Sequence, residues 1–449
     1  MSNVVSDLYR SFRDSILTKL FVIFILILVL GIPIALIFGV ISDRENSRDA
    51  AVRDISGKWG AEQVLTGPIL TVPYLVHTKD EKGRVFTSTE TAQFLPDRLE
   101  VRGSLWPEIR YRGIFEAVLY RADLQVEGNF LHPDFGALKI PSSDIRWVDA
   151  VLSLGVSDNR GLQENVALDF DGRKLAFGPG SGAVALFHTG IHVQVPLKAN
   201  GSRIPFSLRL ALNGSEGLKV IPCGRETTVH LSSSWPSPSF NGNYLPTQRS
   251  VGDKGFQADW RVLELARNFP QSWKKADVPP SDLESSAFGV GLPLTADAYQ
   301  KTTRTAKYAV LFILLTFLSF FLFEVMSRLR VHPFQYLLVG AALLVFYLLT
   351  LALSERWGFG WSYLAASSAM IGLITAYSAV ILANLRRGLL IGLVLTVLYG
   401  YLYVLLQLED YALLLGSVGL FVITGLVMYL TRKINWYDPT TGRPGVGQP

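Results

Sequence analysis

Two long apolar runs follow one another between residues 304 and 355, and they indicate a membrane protein more strongly than any other feature. Each run has about twenty residues, enough for a helix to cross the roughly 30 Å hydrocarbon core of a bilayer. Only the short basic stretch 327–332 joins them, which leaves room for nothing but a tight turn at one membrane face. The runs therefore predict a helical hairpin that opens a C-terminal membrane domain.

The composition of the whole chain agrees with a membrane protein. Of 449 residues, 49% are hydrophobic and only 18% are charged, with a mean hydropathy of +0.30. A soluble globular chain is less apolar, so a polytopic membrane protein in contact with the lipid bilayer is expected. The net charge of +5 does not indicate a nucleic-acid partner, because many basic residues stand at the ends of apolar runs.

The N-terminal segments predict one membrane anchor followed by a stalk. Residues 1–19 have the spacing of an amphipathic helix on the cytoplasmic membrane surface, and a frayed basic terminus is the open alternative. Residues 20–41 form an uncharged transmembrane run. That run is too long for the apolar core of a signal peptide, and no convincing cleavage site follows it. Residues 42–66 predict a helical stalk that ends near Gly60.

Residues 67–302 carry the signals of antiparallel β structure. Runs rich in β-branched and aromatic residues alternate with turn signals such as Asp171-Gly172 and Asn213-Gly214. A segment of this length can bury its own core, either as one sandwich or as two smaller β units. The sequence leaves that choice open.

The remaining apolar runs complete the membrane domain over residues 303–432. With the first span they predict an α-helical polytopic membrane protein of six transmembrane helices, with a large all-β extracytoplasmic domain inserted between the first and second helices. The five C-terminal spans are predicted at about 306–326, 333–354, 361–383, 389–406 and 411–430, followed by a cytoplasmic tail at 433–449.

The short loops predict which way the chain faces. Basic residues that flank membrane spans concentrate on the cytoplasmic side. They gather in every second loop and in the tail: Arg328, Arg330, Arg386, Arg387, Arg432, Lys433 and Arg443. The opposite short loops hold Arg356 beside Glu355, and the acidic pair 409–410. Both termini are therefore expected in the cytoplasm and the β domain in the periplasm.

No motif indicates catalysis or a cofactor. The chain lacks GxSxG, HExxH and a P-loop, and the glycine-rich stretch 178–182 has no following lysine. His188 and His192 are four residues apart in a β-rich stretch, where that spacing separates them by about 13 Å. The single cysteine, Cys223, excludes an intramolecular disulfide. We expect no enzymatic activity, no catalytic residues, no cofactor and no metal site.

Four residues of the membrane domain are candidate functional positions because ionisable groups are costly there. Glu324 near a span end suggests either an interfacial pair with Arg328 or a proton or ligand site. His332 precedes Pro333, a pair that is typical of a helix start. Glu355 and Arg356 stand together where an interfacial ion pair is expected.

Several uncommon segments occur in an order that resembles the CreD family of bacterial inner-membrane proteins, and they cover nearly the whole chain. They are GPILTVP, SSWPSPSFNGNYLP, GFQADW, TRTAKYAVLFILLTFLSFFLFE, VHPFQYLLVG, FYLLTLALSE and TRKINWYD. The resemblance implies an inner-membrane protein of Gram-negative bacteria that belongs to a carbon-source and envelope-stress response. It further implies a link to envelope integrity and β-lactam tolerance, and it carries over no catalytic residue.

One position departs from that family pattern. Members often have histidine after the Ser-Glu of the third span, whereas Arg356 follows Glu355 here. Any pH sensing by that histidine would be missing from this chain.

Two functions from different classes fit these patterns. The first is a non-enzymatic envelope-integrity protein whose β domain binds an unidentified periplasmic protein or envelope polymer. The alternative is a small-molecule transporter or channel built by the five C-terminal helices, although no span centre carries a clear charge. The sequence leaves the oligomeric state open.

Overall fold

The protein divides into two compact units, which we describe separately. One unit is Arg48–Thr295, and the other combines Met1–Ser47 with Ala296–Pro449. The computed structural model describes residues 16–432 apart from 82–83, 183–186, 188, 200, 202, 275–276, 295–297, 328–330 and 409–410. Most of the predicted amphipathic segment 1–19 and the tail 433–449 therefore lie outside the described residues.

Helix α1, Ile16–Trp59, is a single element that contains the predicted first span and most of the predicted stalk. It ends at Gly60, whose φ of +147° belongs to a region that favours glycine. A side chain there would come within 2.6 Å of the Asn213 carbonyl oxygen. The first strand begins at Gln63, four residues before the predicted start of the β region.

The β unit consists of two mixed sheets. The first has strand order β13-β17-β11-β1-β5-β9-β8, with β2 beside β1 and β16 beside β2, and the second has order β14-β15-β12-β3-β4-β10-β6-β7. In chain order the strands are β1 Gln63–Lys79, β2 Val85–Phe94, β3 Arg98–Arg112, β4 Phe115–Leu131, β5 Val151–Val156, β6 Ala167–Phe170, β7 Arg173–Ala176, β8 Gly178–Pro179, β9 Gly190–Gln194, β10 Arg203–Ser215, β11 Gly217–Val220, β12 Glu226–Ser233, β13 Ser239–Gly242, β14 Gln248–Gly252, β15 Gly255–Leu263, β16 Ser272–Lys274 and β17 Phe288–Gly291.

The two sheets share one hydrophobic core. Alternate residues of strands such as β12 and β15 are buried, whereas residues 65–72 of β1 are all buried. The largest fully buried side chains of this core include Trp260, Phe130, Phe170 and Phe288. The region is therefore one β unit rather than two. It is not wholly antiparallel, because β1 pairs with β11 and β3 pairs with β12 in parallel. It also contains a short helix, α2, at Pro280–Ser285.

The membrane unit contains the remaining helices, which are α3 Ala298–Lys307, α4 Ala309–Ser327, α5 Pro333–Ile381, α6 Leu385–Gln407 and α7 Ala412–Thr431. Within the described residues, five helices are long and apolar enough to cross a membrane: α1, α4, α5, α6 and α7. Such helices place the protein in contact with a lipid bilayer.

Helix α5 contains both of the spans predicted at 333–354 and 361–383. Its backbone leaves helical geometry at Gly358, where φ is 71° and ψ is 164°. The ring centroids of Phe346 and Tyr363 are 5.4 Å apart, whereas a straight helix would separate these residues by about 25 Å along its axis. The chain therefore folds back at Gly358, and the two arms pack against each other.

Aromatic side chains fill the contact between the arms of α5 and helix α6. Phe346 and Tyr363 both pack against Tyr399, and the Tyr363 hydroxyl donates to the Tyr399 carbonyl oxygen over 2.7 Å. Helix α1 packs on the same bundle through Leu30, which occupies the space over Gly340. A side chain at residue 340 would meet Leu30 at 2.3 Å, so glycine permits the close approach of the two helices.

Candidate functional site

An ion pair between a partly exposed lysine and a buried acid joins helix α1 to helix α4. Lys19 Nζ lies 2.6 Å from Glu324 Oε1, and the Glu324 side chain is only 3% exposed. The same carboxylate accepts hydrogen bonds from the Tyr336 hydroxyl at 3.0 Å and from the Val331 backbone N–H at 3.2 Å. Three donors thus satisfy one buried acid.

This arrangement corrects the interpretation of Glu324 as an interfacial side chain that reaches water. The predicted partner, Arg328, lies outside the described residues, and the observed partner is Lys19, far away in the sequence. Lys19 and Glu324 each stand near the end of an apolar run, and the two runs are far apart in the sequence. That pattern does not indicate that the two residues pair. Only the packing of α1 beside α4 brings them together.

The pair holds the two helices together at a high electrostatic cost. A carboxylate that is removed from water loses several kcal/mol of solvation free energy, and its interactions with its partners must compensate for that loss. If Lys19 loses its charge, Glu324 remains buried without a cation. The interaction therefore makes the position of α1 specific, since other placements leave the acid uncompensated.

His332 caps helix α5, as its place before Pro333 predicts. Its Nδ1 accepts from the Phe334 N–H at 3.2 Å, and the Gln335 side chain accepts from the His332 N–H at 3.0 Å. This reciprocal arrangement satisfies two backbone donors that a helix start leaves without partners.

The Glu355 carboxylate, for which a pair with Arg356 is predicted, lies 3.5 Å from Arg44 Nε, near the other end of the apolar part of α1. Arg356 is exposed next to the reversal at Gly358. An ion pair therefore links α1 to the membrane unit near each end of its apolar run.

A polar groove lies on the outer face of the eight-stranded sheet, with a volume of about 860 Å³. Strand register explains its lining, because cross-strand partners on one face form continuous rows. One row across β10, β4, β3, β12 and β15 is Arg209, Gln125, Arg102, His230 and Asp259. The next row includes Asp123, Ser104, Ser232 and Gln257.

Two acidic side chains of the groove have partners within it. Arg209 holds Asp123 through two hydrogen bonds, and His230 Nδ1 lies 2.6 Å from Asp259 Oδ1. The hydrogen bonds from Arg209 lower the pKa of the Asp123 carboxyl, so this acid stays ionised. Trp106 lines the same groove with a side chain that is 54% exposed.

Sequence reasoning singled out none of these groove residues. The alternation of polar and apolar residues does indicate which side chains face outward on each strand. It cannot show that β12 pairs with β3 in parallel, and that pairing brings His230 beside Arg102. The groove is a consequence of strand order.

The residues considered for metal or thiol chemistry do not form a site in the described part of the chain. No group of three or more His, Cys, Asp or Glu residues there could hold a metal ion. His192 lies on β9, with its Nδ1 2.9 Å from the Gly180 carbonyl oxygen, and His188 lies outside the described residues. Burial raises the pKa of the Cys223 thiol to about 11, which disfavours the reactive thiolate.

Removing one charge of the Lys19–Glu324 pair is expected to destabilise the protein more than removing both. Lys19→Met should lower the free energy of unfolding by roughly 3–5 kcal/mol, because Glu324 is left uncompensated. Adding Glu324→Gln should recover most of that loss. Denaturant titration of the purified protein in lipid nanodiscs measures the effect.

A matched control is Lys58→Met, which breaks an exposed pair with Asp54. Exposed pairs contribute only about 0–1 kcal/mol, so this variant should stay close to the parent protein. Additive losses in the Lys19→Met/Glu324→Gln double variant would contradict a coupled pair.

Comparison with known proteins places the chain in one family. The family model described as "Inner membrane protein CreD" matches residues 15–437. Inner membrane protein CreD of Escherichia coli (strain K12) is 35% identical over 437 residues, which cover 95% of this chain and 94% of that protein. The chain therefore belongs to the CreD family of inner membrane proteins.

Proposed function

We propose that this protein is a non-enzymatic inner-membrane receptor that supports envelope integrity and stress tolerance. In this proposal the β unit lies in the periplasm and binds an envelope component through the groove on the eight-stranded sheet. The observation that carries the proposal is the groove itself, a concave surface lined by rows of polar side chains. The helices serve as the anchor.

We infer six membrane spans with both termini in the cytoplasm. The spans are α1, α4, the two arms of α5 on either side of Gly358, α6 and α7. The ion pairs at Lys19 and Arg44 support this topology, because these residues are separated by about 38 Å of helix, close to the thickness of a hydrocarbon core with its interfaces. Arg386 and Arg387 in the first turn of α6 support a cytoplasmic position for that end of the helix.

Cysteine labelling is expected to confirm this topology. The only native cysteine, Cys223, is buried, so the labelling of introduced cysteines can be measured without replacing it. In spheroplasts, Arg356→Cys and Leu265→Cys should react with a membrane-impermeant maleimide, whereas Arg386→Cys should react only after permeabilisation. Labelling of Arg386→Cys in intact spheroplasts would contradict the six-span topology.

The transporter alternative receives less support from the membrane unit. Packed aromatic rings of Phe346, Tyr363 and Tyr399 occupy the contact between the arms of α5 and helix α6. Such packing favours an anchoring role over a solute path. Solute uptake by the purified protein in proteoliposomes would contradict this assignment.

Groove variants are expected to behave like loss of the gene. In a strain that lacks the chromosomal copy, Trp106→Ala and Gln125→Ala should fail to restore growth under detergent and β-lactam stress. Tyr111→Ala is the matched control, since it removes an exposed aromatic ring from the same strand outside the groove. Full rescue by both groove variants at normal protein levels would contradict the proposed function.

A further inference from the structure

We propose that the groove on the eight-stranded sheet binds an uncharged saccharide chain. This inference rests on the proposed function and specifies the chemical class of the envelope component. Four properties of the groove carry it: its direction across the strands, its balanced charge, its hydroxyl and amide lining, and the exposed ring of Trp106.

The direction of the groove fits an extended, linear ligand. The row from Arg209 to Asp259 crosses five neighbouring strands. At the usual spacing between strands this row is about 19 Å long. Several linked sugar rings can lie along it, each opposite a different strand.

The charges of the groove disfavour an ionic ligand. Its lining contains the basic side chains of Arg102, Lys174 and Arg209 and the acidic side chains of Asp123, Asp169 and Asp259. Arg209 holds Asp123, so this negative charge is compensated before a ligand arrives, and Asp259 Oδ1 lies 2.6 Å from His230 Nδ1. A polyanion would gain little attraction here and would approach three carboxylates.

The uncharged polar groups match the hydroxyl groups of a sugar. Ser104, Ser207 and Ser232 can both donate and accept hydrogen bonds, and so can the amides of Gln125 and Gln257. Because these groups lie on adjacent strands, they place hydrogen-bond partners at the regular spacing of the strands. An uncharged chain of sugar rings carries hydroxyl groups at a repeated spacing and can bond to them.

Trp106 provides the apolar part of the site. Its ring also lines a neighbouring hollow of about 480 Å³ together with Ser250 and Lys254. A flat, partly exposed indole offers a large contact area at low entropic cost, and the C–H face of a sugar ring is a suitable partner.

A peptide strand is a poorer occupant of this surface. Peptides that bind sheets commonly pair with an open strand edge. The groove lies on the sheet face, and its central strands β3, β4, β10 and β12 each have neighbours on both sides. Their backbone groups are therefore already used in strand pairing, which leaves side chains as the contacts for a ligand.

Binding to the full-length protein in lipid nanodiscs tests the proposal. Glycoside detergents must be absent, because their headgroups could occupy the groove. The probes are two uncharged saccharides, an N-acetylglucosamine hexasaccharide and maltohexaose, with a galacturonate hexasaccharide and an uncharged hexapeptide for comparison. Isothermal titration calorimetry should detect binding of at least one uncharged saccharide and weaker or no binding of the other two probes.

Variants locate that binding in the groove. Trp106→Ala and Gln125→Ala should each weaken the affinity for the saccharide at least about tenfold, while Tyr111→Ala leaves it unchanged. Equal thermal unfolding of the three variants shows that they fold. The proposal is overturned if neither uncharged saccharide binds, if the uronate or peptide binds more tightly, or if both groove variants retain full affinity.

The outcome separates this inference from the proposed function. If no saccharide binds but Trp106→Ala still fails to protect cells, the groove acts on another ligand and the saccharide assignment is wrong. If saccharide binding is lost in Trp106→Ala while cells remain fully protected, the ligand is correct and the role of the groove in envelope integrity is wrong.

Discussion

The hydrocarbon core of a bilayer supplies no water to a polar group, and the membrane unit of this protein depends on that constraint. Every charge near a span must find a partner within the protein or reach the interface. Glu324 meets this requirement with Lys19, Tyr336 and the Val331 N–H. Because one of these donors belongs to α1, satisfying the acid also fixes the first helix against the bundle.

A second consequence is that apolar contacts alone do not determine where α1 packs on the bundle. Lipid tails are as apolar as leucine, so burial of leucine or isoleucine does not select one docking position. Close packing of Leu30 over Gly340 and the ion pairs of Lys19 and Arg44 supply that selection. The helix that carries the N-terminal anchor is thereby placed by a few polar contacts and one glycine.

The sequence predicted the elements better than the contacts between them. Apolar runs and the His332-Pro333 start indicated the helices, and alternation indicated the strands, because both signals are local. The Lys19–Glu324 pair, the Arg44–Glu355 pair and the groove join residues that are distant in the chain. Such contacts depend on strand order and helix packing, which one sequence does not encode in any local pattern.

The groove on the eight-stranded sheet is the surface that we propose as functional. Its most direct test is photo-crosslinking in growing cells from the groove lining, with a photoreactive amino acid in place of the exposed Lys174, whose side chain is not among the proposed saccharide contacts. Leu265, which is 96% exposed outside the groove, serves as the reference position. A saccharide-containing adduct is expected from residue 174 and none from residue 265. The same adducts from both positions, or no adduct from residue 174, would contradict the proposal.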